Sequence, residues 1–370
     1  MDYKKISTIE AIALIVIVMI NQVLISVAKD IIIDTASGGW LHTIFISILA
    51  VLLFLVMNKL FSKFLNLNII DISDYLAGKF LKTIVCILLI GFFILSATII
   101  IGNMCRYINV IYLSNISILY LILTFLVASI VVAKREISVI VKNNLMGLYI
   151  LFVPMLILFC MSFFDTNFSS LFPILGYGFK ETFLYNTTNI YAFSGLIYLF
   201  LINPLLNDTT KYKKIGIVSI IISSIYLFLT IISLLLQLPF SYAIEDLFSV
   251  YLLSRILSLG SFLERVDALY FFVWILNSFS YLSIILYFLT DTFKQMSNSS
   301  NRTGSIYAFG SIILGFVLTA KDITDLRFLQ RNVFSYYTII LFLILFIILL
   351  ISYFKNKKKP FNTKKGEAIK

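Results

Sequence analysis

Residues 17–30 read IVMINQVLISVAKD, and this stretch decides how the chain is to be read. An uninterrupted apolar run meets two adjacent amides, Asn21 and Gln22, and returns to apolar residues with Ser26 one turn on. The run is long enough to cross a bilayer core, which takes roughly 20 residues of helix. An amide pair in its middle either bridges to a neighbouring helix or opens the backbone for a ligand. Residues 189–206, NIYAFSGLIYLFLINPLL, repeat the pattern. Ser194-Gly195 interrupts that run, and Asn203-Pro204 closes it, with Pro204 freeing a carbonyl.

The whole chain fits this reading. Of 370 residues 61% are hydrophobic and 13% charged, and the mean hydropathy is +1.02. A soluble domain is about half apolar and about a quarter charged, so lipid must solvate much of this surface. Ten segments qualify as spans, near 9–29, 39–57, 82–104, 114–133, 145–164, 187–206, 215–237, 266–290, 304–320 and 335–354. With the N-terminus inside, the inner segments hold 21 Lys and Arg and the outer ones eight. That asymmetry predicts N-in, C-in topology. It also assigns the net charge of +11 to the inner leaflet and its anionic lipid, with no nucleic acid needed. One membrane domain is expected over 1–355, followed by a basic cytoplasmic tail at 356–370. Residues 69–82 read as a short helix on the membrane surface, and 165–186 and 238–265 as the long outer loops.

Several chemistries are disfavoured. Cys86, Cys105 and Cys160 are far apart and form no CxxC pair, which argues against a disulfide or metal framework. The sole histidine, His42, follows Trp40 and reads as an interfacial residue. The spans show almost no charge apart from Glu10 and Arg106, both near span ends. Neither a buried carboxylate relay nor a catalytic constellation is apparent, so no cofactor, metal or enzymatic role is expected. Neutral polar groups and exposed backbone are left to carry the chemistry.

The first and sixth segments are the polar-interrupted ones. They are five segments apart, an odd number, so a second five-helix unit would be inverted relative to the first. Interruptions at matching positions of two inverted halves point to a site at the midplane. Broken helices there offer N–H groups to a carboxylate and carbonyls to an amine, and an amino acid has both. The expected binding residues are Asn21, Gln22 and Ser26 with Tyr191, Phe193, Ser194 and Gly195. Ser96 in the third segment and Asn277 in the eighth are added as neighbours, although packing and an Asn277–Tyr281 helix contact explain them as simply. Residues 260–276, GSFLERVDALYFFVWIL, open the eighth segment. Ser261 and Glu264 fit a capping box, Glu264 and Asp267 suit the positive helix end, and Arg265 reaches outward. These four read as a helix cap and outer anchor, with Trp274 too deep for an interfacial belt.

Five stretches in order resemble the spore germination permease family, the integral-membrane B subunits of nutrient germinant receptors in endospore-forming bacteria. They are the opening Ile6–Val18; Gly39-Trp40-Leu41; Leu76-Ala77-Gly78-Lys79; Phe172-Pro173-Ile174-Leu175-Gly176; and Phe262–Ala268 followed by Trp274. The family is similar to the amino acid–polyamine–organocation transporters. The resemblance implies an all-α integral membrane fold of about ten transmembrane helices. These would form a five-plus-five inverted repeat with helices 1 and 6 broken and a ligand site between spans 1, 3, 6 and 8. It implies a small-molecule nutrient, an amino acid, as ligand; A and C receptor subunits as partners; and the inner membrane of the spore as location. Asn21 stands where such proteins carry glycine at the first break, and Ala28 where a proline follows. An ion-coupled amino acid transporter is the alternative reading.

Overall fold

The computed structural model of the chain describes residues 5–64, 66–164, 166, 168–238, 249–257, 266–297 and 301–358. Among these residues all regular structure is helical, apart from one parallel bridge between Ile6 and Leu206.

Helix α1 (Thr8–Gln22) starts at a capping box: the Ser7 N–H donates to Glu10 Oε2 at 2.8 Å, and Glu10 N–H to Ser7 Oγ at 3.4 Å. These bonds satisfy helix-start donors that would otherwise lack partners. The helix runs without a break through a π turn, Val23–Val27, into α2 (Ala28–Thr35). The expected break of the first span is therefore corrected. Asn21 is helical, the residues flanking the π turn keep right-handed helical angles, and the helix widens instead of opening. The wide turn arises where one extra residue enters the helical ladder. α1 is apolar on every side, as suits a helix enclosed by others, and it packs against α6, α8 and α10.

After a turn at Ala36–Gly38 comes α3 (Gly39–Phe61). α4 (Ile69–Ile111) begins at a second capping box, Asn68 with Asp71. Ala77 and Gly78 break it, Gly78 having φ 69° and ψ −162°. The short helix expected over 69–82 thus exists, but it ends near Leu76. α5 (Ile118–Ala133) and α6 (Ile137–Ser162) follow. The sixth segment is a tight 3₁₀ turn, Thr187–Phe193, then α7 (Leu196–Ile202), with a bend of 43° between them. Here the interruption expected at Ser194-Gly195 is present. α8 (Tyr212–Gln237), α9 (Ser249–Ile256), α10 (Val266–Ser297) and α11 (Arg302–Thr319) precede α12 (Ile323–Phe328). A second π turn, Leu329–Phe334, joins α12 to α13 (Ser335–Lys358).

Among the described residues seven helices are long and apolar enough to cross a membrane, and eight if the bent pair counts as one. One of the seven, Thr8–Phe61, is 54 residues long and contains two of the expected segments. The chain is a multi-pass membrane protein. Its outward stripes are apolar at helical spacing: Ile48, Leu52 and Val56 on α3, and Ile340, Leu343, Ile347 and Ile351 on α13.

The segment before the sixth apolar run folds over the α2–α3 corner. Ser37 Oγ donates to the Pro173 carbonyl at 2.7 Å, and a Cβ on Gly38 would lie 2.9 Å from the Leu175 backbone. The Phe172–Gly176 stretch that carried the resemblance therefore meets the residues just before Gly39-Trp40-Leu41. His42 lies beneath this cover with no exposed surface. Its expected interfacial position is corrected, because Nδ1 donates to the Thr182 carbonyl at 2.6 Å and Nε2 accepts from Asn189 at 3.3 Å.

Candidate functional site

A line of polar side chains runs through the interior where α1, the π turn and α2 face the sixth segment, α10 and α12. Asn21 and Gln22 occupy the last turn of α1, both buried. Asn21 Nδ2 donates to Ser278 Oγ at 3.2 Å and Gln22 Nε2 to the Tyr281 hydroxyl at 3.4 Å. Gln330 Nε2 donates to Gln22 Oε1 at 3.4 Å. The amide pair thus ties the first apolar segment to the eighth and the tenth. It leaves Asn21 Oδ1 and both amide atoms of Asn277 without a hydrogen bond among the described residues.

The π turn carries the line onward. The Tyr107 hydroxyl donates to the Ile25 carbonyl at 3.5 Å. Ser26 Oγ donates to Asp30 Oδ2 at 3.3 Å, and the Tyr191 hydroxyl donates to the same oxygen at 2.7 Å. Asp30 is 1% exposed. Its Oδ1 faces Arg327 Nη2 at 3.5 Å. One turn on, Asp34 pairs with Arg331 and accepts from Asn189 Nδ2 at 3.0 Å. Asp30 and Asp34 on α2, and Arg327 and Arg331 from α12 into the second π turn, are both spaced i,i+4. The pairs form two rungs between two helices.

These charges correct the expectation of an interior nearly free of them. Lys29 and Asp30 are as buried as the apolar residues around them, and so is Arg106. Arg106 donates to the carbonyls of Gly102, Val317 and Ala320. Asp30 and Asp34 lie beyond the span expected to end near residue 29, because the helix continues to Thr35. The matched i,i+4 spacing of two acids and two arginines was the available signal.

Beside the π turn is a recess lined by Ser26, Lys29, Tyr107, Tyr251, Tyr270 and Trp274. It encloses ≈ 20 Å³, enough for about one water. Tyr107 and Trp274 lie with ring centroids 5.2 Å apart. Of the residues expected to bind ligand, Ser26 lines this recess. Tyr191 reaches Asp30 instead, and Phe193 and Ser194 are buried, with the Ser194 hydroxyl lacking a hydrogen bond among the described residues. Ser96 Oγ donates back to the Phe92 carbonyl at 2.8 Å. Gly195 is where the bent segment meets α1: a Cβ there would lie 2.8 Å from Met19 Cγ and 3.2 Å from Val18.

Ser261, Glu264 and Arg265 lie outside the described residues. Asp267 stands in the first turn of α10, buried, and accepts from the Tyr251 hydroxyl at 3.5 Å. At the start of α12, Asp322 caps the helix. The Thr324 hydroxyl and then the Asp325 N–H hold its carboxyl below the usual range. Among the described residues no three His, Cys, Asp or Glu side chains group to hold a metal.

With this geometry established, comparison with known proteins is informative. A family model described as "Spore germination protein" matches residues 5–326. Spore germination protein A2 of Bacillus subtilis (strain 168) is 23% identical over 360 residues, covering 95% of this chain and 97% of that protein. Spore germination protein KB of the same organism is 24% identical over 201 residues, 54% of each.

Proposed function

This chain belongs to the spore germination permease family, and from that membership we propose that it is the nutrient-sensing membrane subunit of a spore germination receptor. Its ligand is a small nutrient, an amino acid, held between the first, third, sixth and eighth segments. The observation that carries this reading is the buried polar line, where Asn21, Gln22, Ser26 and Asp30 meet Tyr191, Ser278, Tyr281 and Gln330. Buried polar groups in membrane helices are costly and mark ligand or ion pathways by default. Ser96, Phe193, Ser194, Gly195 and Asn277 complete the proposed surround.

The proposed architecture is ten spans over 1–355, N-in and C-in, in two inverted halves of five, with the tail 356–370 in the cytoplasm. The contacts support it: α1 packs against α7, α3 against α8, α4 against α10 and α5 against α11. Each is a pair of segments five apart, as expected of elements close to an axis relating two halves. Receptor A and C subunits are the proposed partners, in the inner membrane of the spore. Spores lacking this gene, tested against a panel of nutrients, should lose the response to one class and keep the others. An unchanged panel overturns the proposal.

One observation favours an ion-coupled amino acid transporter as the second reading. Asp30 is a buried carboxylate of the kind such coupling uses. Gradient-driven accumulation of labelled amino acid by the chain alone in liposomes would establish it.

A further inference from the structure

Asp30 is the most deeply buried charge of the polar line, yet its contact with the cation opposite is poorly made. Oδ2 is satisfied twice, by Tyr191 at 2.7 Å and Ser26 at 3.3 Å. Oδ1 accepts no hydrogen bond among the described residues. Arg327 Nη2 stands 3.5 Å from it, and that nitrogen also lacks a hydrogen-bond partner there. Charge faces charge, but no proton is directed along the line between them. A buried ion pair offsets its desolvation only when hydrogen bonds fill the remaining lone pairs and protons. This pair does not meet that condition. Nor is it needed to join α2 to α12, because Asp34 and Arg331 do so one turn away with direct hydrogen bonding and further support from Asn189.

The carboxylate is joined to the recess through its other oxygen. Ser26 both lines the recess and donates to Asp30, so the carboxylate is one hydrogen bond from that space. A primary ammonium is a compact cation with three donors that rotate to suit an acceptor, whereas a guanidinium presents its donors in a rigid plane. It can fill a lone oxygen that Arg327 only approaches.

We infer that Asp30 Oδ1 is the recognition group for the ammonium of a small amine-bearing ligand, and that Arg327 is its internal stand-in when no ligand is bound. The inference rests on the nutrient-binding reading above. The arriving ammonium takes the carboxylate and releases Arg327. The inner rung between α2 and α12 then opens while the Asp34–Arg331 rung holds. Binding near the π turn is thereby transmitted to the start of the last apolar segment.

The test uses the purified full-length chain and its thermal midpoint. The probes are L-alanine and L-leucine, each beside its N-acetyl derivative and its decarboxylated amine, ethylamine or isoamylamine. At least one free-amine probe should raise the midpoint, and its N-acetyl partner should not. Asp30→Asn should lose the shift. Arg327→Gln, with the competitor gone, should bind the amine about tenfold more tightly, since no internal state remains to be displaced. The exchange Asp30→Arg with Arg327→Asp keeps the ion pair and serves as the folding control. It should restore membrane yield but not the amine shift, whereas a purely structural pair would restore both. N-acetyl probes as effective as free amines, an unchanged shift in Asp30→Asn, full binding by the exchanged chain, or no shift with any amine would each overturn the inference. Spores lacking the gene report separately on the receptor reading. A lost nutrient response there, together with failure here, removes only the assignment to Asp30.

Discussion

The Tyr191 hydroxyl joins the bend of the sixth apolar segment to Asp30 on α2, as Asn189 joins it to Asp34. Tyr191→Phe keeps the ring and deletes the bond. A hydrogen bond to a charged group contributes roughly 1.5–3 kcal/mol, so a lower thermal midpoint of about that free energy is expected. An unchanged midpoint would mean that the hydroxyl is not engaged. Gly195 makes a different kind of contact. It is helical, so its backbone does not require glycine, but the approach of Met19 and Val18 does. Gly195→Ala should cost roughly 1–3 kcal/mol through overpacking, read from the same melt, and a neutral effect would show that the two helices can separate. For that reason a dead receptor carrying Gly195→Leu would report a wedge between helices before it reported a lost ligand contact. The residues legible from sequence were those whose polarity stands out in an apolar run: Asn21, Gln22 and Ser26. Asp30 was not, because a carboxylate at the end of a hydrophobic run reads as the start of a loop. Only a partner far along the chain, Arg327 at the start of the last segment, gives it a reason to be inside.

At the scale of elements, apolar runs predicted where helices form, since a run of that length in lipid must satisfy its backbone internally. How two helices are interrupted was not legible. A π turn adds one residue to the ladder and needs no glycine or proline, so VLISV looks like any other helical sequence. Its consequence is rotational. An α-helix advances 3.6 residues per turn, so one extra residue in a plain α-helix would swing everything beyond it by about 100°. The wide turn absorbs that residue and keeps Asp30 and Asp34 on the face that meets Arg327 and Arg331. Deleting Ile25 should return the turn to α-helix with that face preserved, so membrane yield and a midpoint near the parent's are expected. Loss of yield, or a midpoint lowered well beyond the effect of Tyr191→Phe, would mean that the π turn does not hold the register by absorbing one residue. The break between the two parts of α4 was more visible in sequence, through Gly78. With φ 69° and ψ −162° it occupies a region open essentially to glycine alone, and nothing else crowds its Cβ position. Gly78→Ala should therefore cost roughly 1–3 kcal/mol from backbone strain alone, again as a lowered midpoint, with no change in ligand response.

Taken whole, the molecule is closed at both ends of its polar line. The two ion pairs close one end. At the other, Ile6 pairs with the end of the sixth segment, donating to Leu205 at 2.8 Å and accepting from Asn207 at 2.9 Å, while Asn68 donates to Gln295 at 3.0 Å and Asn203 to the Leu67 carbonyl at 2.9 Å. The proposed orientation rests on the lysines and arginines, 21 of which fall on one set of segments and eight on the other. Cysteine labelling in intact membranes tests this. Cys86 and Cys105 are buried and Cys160 is exposed, so Cys160→Ser first removes the accessible thiol. Lys180→Cys, on the segment that covers the α2–α3 corner, should then react with a membrane-impermeant maleimide from outside. Lys213→Cys, at the start of α8, should react only after the membrane is opened. The reverse pattern would invert the molecule and place Asp30 and Arg327 on the cytoplasmic side, where a nutrient arriving from outside would meet the Ile6–Leu206 pairing first.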